Sequence, residues 1–280
     1  MKSTTLILYL TLYLTLATYS HFTTGQSNII NVTNTITHNH GTSAGVLLGK
    51  DIIYSGRDEQ GGELWKTDGT AAGTVIVKDI NVGPNWSYPN GFTALNKNLF
   101  FSANDGVNGS ELWKTDGTAA GTVLVKDINV GPEASDPFGF IEFNGVLLFR
   151  ANDGVNGSEL WKTDGTAAGT VLLKNIREGD AGSSSTWFSE INGELLFRAN
   201  DGVTGGELWK TDGTTTGTVL VKDIRAGQVG SSCIAFREID GAFFFKANDG
   251  INGMEYWITN GTTKGTYMYT KRIDDSLARR

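Results

Sequence analysis

Five tryptophans, Trp65, Trp113, Trp161, Trp209 and Trp257, are each separated from the next by 48 residues. Around them the chain repeats itself almost letter for letter. ELWKTDGTAAGT occupies 63–74, 111–122 and 159–170, followed by ELWKTDGTTTGT at 207–218 and EYWITNGTTKGT at 255–266. A fixed period of this length marks a propeller or a related array, in which units that cannot bury their own apolar faces are covered by their neighbours.

The second repeat shows what one unit contains. FTAL (92–95), LFFSA (99–103), ELWKT (111–115) and TVLVKDI (122–128) are short runs rich in aromatic and β-branched residues. Turn formers separate them: Asn96-Lys97-Asn98, NDGVNGS and DGTAAG. This pattern predicts four strands per repeat, and nothing in it has a sustained helical period. LLF at 147–149 and FFF at 243–245 are apolar at consecutive positions, so both faces of each sheet must be covered. The expected fold is all-β: a five-bladed β-propeller built from four-stranded antiparallel sheets of about 48 residues. Its five repeats run from about Gly45 to about Arg272, within a domain spanning 45–280. An incomplete arc that a second chain must close is the alternative architecture. The stretch NIINVTNTIT (28–37) could add a strand.

Ahead of the repeats, residues 1–25 read as a secretory signal peptide, with Lys2 preceding an apolar stretch from Leu6 to about Ala17. Residues 26–44 form an N-terminal extension. Secretion gives meaning to the glycosylation sequons at Asn31, Asn85, Asn108, Asn156 and Asn260. No later segment is long and apolar enough to span a bilayer, so stable membrane insertion is not expected once the signal is removed. Cys233 is the single cysteine, which leaves packing to supply stability. The net charge of −7 argues against nucleic acid as a partner.

The repeat resembles the ELWxxDGT repeat family, on the strength of ELWKTDGT in four copies and EYWITNGT in the fifth, across about four-fifths of the chain. The resemblance implies a secreted or surface β-rich repeat protein and implies no established activity. At the level of fold alone, five blades of this length are similar to the five-bladed tachylectin propeller, a carbohydrate binder.

Five copies this alike suit a structural part better than five active sites, so DGT is read as a turn and Trp113 as a filler between blades. Alternating strand directions put the connections between blades on one face and the DGT turns on the other. The connections differ most between repeats, which makes their face the expected binding surface. Trp86, Tyr88, Phe138 and Trp187 could stack on sugar rings, with Asp136 and Ser185 bonding hydroxyls. Asp105, Asn108, Glu111, Asp153, Asn156 and Glu159, in and beside the NDGVNGSE loops, could offer oxygen ligands to calcium.

No enzyme is expected. All three histidines, His21, His38 and His40, precede the first repeat, and no triad can be placed within the blades. The reading is therefore a secreted, lectin-like binder of glycan, with an adhesive scaffold contacting extracellular proteins as the alternative.

Overall fold

The computed structural model describes residues 29–31, 44–58, 61–239 and 241–270. They form a five-bladed β-propeller with no helix. Each blade is an antiparallel sheet whose strands pair in chain order. Blade 2 comprises Asn90–Leu95, Asn98–Asn104, Ser110–Thr115 and Val123–Lys126. The corresponding third strands are Gly61–Thr67, Ser158–Thr163, Gly206–Thr211 and Met254–Thr259. Blade 1 carries a fifth strand, Ile29–Asn31, with Ile29 opposite Val46, so part of the 28–37 stretch does join the sheet. The signal peptide and the rest of the extension lie outside the described residues.

Glutamate, leucine and tryptophan of the repeated motif point three ways. Leu64, Leu112, Leu160 and Leu208 are fully buried against the following blade. Trp113, Trp161, Trp209 and Trp257 face the preceding blade, so each seam joins one blade's leucine to the next blade's tryptophan in a single apolar cluster. Lysines cross the same seams. Lys66 Nζ donates to the Gly117 carbonyl at 3.1 Å, and Lys78 Nζ to that of Thr122 at 2.7 Å while lying 5.9 Å from the Trp113 ring. Lys126, Lys174 and Lys222 repeat the Lys78 bond at the next three seams.

The DGT segment is a hydrogen-bonded turn. The Asp116 carboxylate accepts from the Thr118 N–H at 2.9 Å and its hydroxyl at 2.6 Å. Thr118 Oγ1 accepts in turn from Gly121 N. A side chain at Gly121 would drive into the Asp116 carboxylate, and Gly117 has a φ of +87°, so glycine is required at both places. In blade 5 the Asn260 amide oxygen accepts the same two bonds, which is why the turn survives the loss of the charge.

The last blade departs from the pattern on its forward face. Tyr256 stands where four leucines are buried and is 52% exposed; Ile239 is 50% exposed. Ile258 and Thr270 replace the two seam lysines. Among the described residues the apolar clusters span four seams, from blade 1 to blade 5, and none joins blade 5 to blade 1.

Candidate ligand-binding face

The connections between blades are held by the motif glutamate, which the sequence places at the head of the third strand and offers to calcium. Glu111 is fully buried. Its carboxylate accepts from Ile128 N at 2.8 Å, Ser135 N at 2.9 Å and Ser135 Oγ at 2.6 Å. Glu63 does the same with Ile80 and Ser87, and Glu207 accepts from Ile224 N and Ser231 Oγ. Each glutamate thus pins the connection leaving its own blade. Their counterpart in blade 5, Glu255, is exposed. Burial pushes the carboxyls of Glu63, Glu111, Glu159 and Glu207 above the usual range, and the bonds they accept offset this only in part.

The serine anchors Ser87, Ser135, Ser183 and Ser231 are themselves 48 residues apart, a signal hidden inside segments that look variable. The residue after each anchor is left-handed: Tyr88, Asp136, Ser184 and Ser232 have φ between +46° and +55°. Such φ values are uncommon outside glycine. The next position is buried in every connection: Pro89, Pro137, Ser185 and Cys233. Ser185 is therefore no ligand contact. Its hydroxyl lies 3.0 Å from that of Ser183, inside the connection. Cys233, in the equivalent place, is 3.1 Å from Ser231 Oγ, and burial pushes its thiol up to about 12, which makes it a poor nucleophile.

The other five expected contacts are on the surface, divided among three connections. At the first, Trp86 (40% exposed) and Tyr88 (61% exposed) form a pair with ring centroids 5.4 Å apart. Trp86 lies across Gly62, where a methyl group would come within 2.6 Å of the ring; blades 2 and 3 carry Ser110 and Ser158 there. Asn81 Nδ2 donates to the Trp86 carbonyl and Asn90 Nδ2 to that of Tyr88, fixing the backbone under both rings.

At the second connection an open slot of about 190 Å3 is lined by Asn90, Ser102, Ser110, Asp136, Phe138 and Arg150, with Pro137 at its edge. It exists because Ser102 occupies a position filled by Arg150, Arg198 and Lys246 in later blades. Arg150 lies 4.9 Å from the Phe138 ring centroid. The slot is smaller than a typical drug-sized cavity and suits a single ring or side group. At the third connection Trp187 is half exposed with a φ of +61°, at a bulge where blades 2 and 3 use Gly91 and Gly139.

The calcium set does not come together. Asp105 accepts from Val107 N, Asn108 N and Asn108 Nδ2, and Asp153 accepts the equivalent three bonds from Val155 and Asn156. Glu111 and Glu159 are turned into the connections instead. The carboxylates that a cation would need are already used to close the loops and hold the connections, and no group of three or more metal-ligating residues occurs among the described residues. The same bonds distinguish the sequons. The amides of Asn108 and Asn156 are held by aspartate and Asn260 caps its turn, whereas Asn85 is exposed. Asn31 is described only as part of its strand, and the histidines lie outside the described residues.

No family model matches the chain, and none of the curated proteins matches it. Solved structures do. Puromycin hydrolase superposes with a TM-score of 0.51 at 14% identity, covering 82% of this chain and 38% of its own. A puromycin hydrolase mutant complexed with PGG gives the same score and identity, with 37% of its length covered. The chain therefore spans less than two-fifths of these proteins, and the likeness is one of β-propeller fold. The class defined by fold and surface is a five-bladed propeller with a structurally constant DGT face and a varied connection face.

Proposed function

We propose that this protein is a secreted, lectin-like glycan-binding propeller that acts through its connection face and has no catalytic role. The observation that carries the reading is the Trp86–Tyr88 pair: two exposed rings, seated on Gly62, with their backbone held by two asparagine amides. Aromatic faces fixed before binding lose little entropy when a sugar ring stacks on them. The neighbouring slot adds Asp136 as acceptor, Arg150 as donor and the mutually bonded hydroxyls of Ser102 and Ser110, 2.8 Å apart, a mixture suited to polyhydroxylated ligands. Secretion is supported by the leader-like first 25 residues.

Tryptophan fluorescence during titration with neutral and acidic oligosaccharides tests this. Saturable change in the parent chain that is lost in Trp86→Phe is the expected result. A folded chain with no response to any glycan would turn the account to a scaffold that contacts proteins.

A further inference from the structure

We infer that the glycan is anionic and that the basic side of the connection face, across blades 3 to 5, receives its acidic groups. The inference rests on the glycan-binding reading above and names the ligand's chemistry. Four of the six arginines among the described residues, Arg150, Arg177, Arg198 and Arg225, lie on this face. They occupy two repeated positions 48 residues apart, and Lys246 continues the Arg150–Arg198 series into blade 5.

All four residues are half-buried, and among the described residues none of their guanidiniums has a hydrogen-bond acceptor or a carboxylate within ion-pair distance. A guanidinium offers five donors in a planar fork, so these four present theirs to solvent or to a bound anion. They are also held in place. Arg150 is packed on Phe138, and Lys246 lies 4.9 Å from the Tyr256 ring centroid. Arg177, Arg198 and Arg225 lie against Gly202, Gly206 and Gly250, where a methyl group would meet each guanidinium nitrogen at 2.6–3.2 Å.

The acids on the same face do not neutralise them. Asp153, Asp201 and Asp249 each accept N–H groups from their own loops. The exposed Glu178 and Asp180, and Asp136 in the slot with Arg150, form an ion pair with none of the four arginines. Blades 1 and 2 differ: Asn81 and Asn129 replace Arg177 and Arg225, and Ser102 replaces Arg150. The face is thus aromatic over the first connection and basic over the later ones, which matches a chain of sugar rings carrying carboxylate or sulfate groups. Forked guanidinium contacts to such groups are the strong, oriented kind.

Immobilised polygalacturonate, dextran sulfate, neutral dextran and poly-glutamate form the test. The proteins applied are the parent chain, the Arg150→Gln, Arg177→Gln, Arg198→Gln, Arg225→Gln quadruple variant, and single Arg150→Gln and Arg225→Gln variants as a safeguard on folding. The expected result is retention on one or both acidic glycans at least about tenfold tighter than on dextran, falling about tenfold in the quadruple variant and in high salt. Whichever acidic polymer is retained identifies carboxylate or sulfate as the recognised group. Dextran bound as tightly as the acidic polymers would overturn the inference and leave the glycan reading standing. Equal retention on poly-glutamate would overturn it in favour of charge alone. No retention on any glycan would overturn both.

Discussion

Within a single ELW the glutamate turns to the outgoing connection, the leucine to the following blade and the tryptophan to the preceding one. Leucine and tryptophan could be read as core from their residue types. The glutamate could not, because a charged residue beside a Gly-rich loop has the appearance of a site, and its partners lie 17 to 24 positions away in segments of dissimilar sequence. Backbone conformation was equally hidden. Ala235 has a φ of +57° at the position where blades 2 and 3 have glycine. Ala235→Gly should therefore stabilise the chain by about 0.5–1 kcal/mol, and Gly139→Ala should destabilise it by a similar amount or more. Denaturant melts of the two variants check this; a loss of stability in Ala235→Gly would contradict the strain assigned there.

At the level of the blade, the strands were largely legible. The runs at 92–95, 99–103 and 111–115 fall inside the observed strands, because alternation and turn residues act locally. The fourth strand is shorter than its run of 122–128: Thr122, Asp127 and Ile128 lie outside the sheet, and Glu111 captures the Ile128 N–H. Blade chemistry also sets a pH profile. The DGT aspartates Asp116, Asp164 and Asp212 are held below the usual range, first by the threonine hydroxyl and then by the threonine N–H. A lowered folded value gives stability that is present above the unfolded value and lost as pH falls through the folded one. The buried glutamates are raised, so their contribution is largest below the unfolded value and declines as pH rises through the folded one. Melting temperature should climb toward about pH 4 and decline gently above it. Glu111→Gln should cost about 1–3 kcal/mol by turning a donor toward donors, and should flatten the decline. A steady rise in melting temperature from pH 4 to 7 would contradict the glutamate assignment.

At the scale of the whole molecule, four seams of the same kind among the described residues give blades 2 to 4 neighbours on both sides, while the forward face of blade 5 carries exposed Tyr256 and Ile239. The substitution of Tyr256 for leucine was visible in the sequence; its consequence was not, because a seam is a property of two blades. Hydrogen exchange should be slowest in blades 2 to 4 and fastest in the outer strand of blade 5, which is only two residues, Tyr267–Met268. Protection in that strand equal to Val123–Lys126 would mean that blade 5 is covered in solution.

The account assigns construction to what the copies share and recognition to what differs between their connections. A glycan array comparing the parent chain with the Trp86→Ala, Tyr88→Ala double variant, with both first shown to be folded, tests it most directly. The account predicts selective binding by the parent and at least a tenfold loss in the variant, which corresponds to about 1.4 kcal/mol or more of aromatic contact. Binding that survives the double substitution unchanged would contradict it.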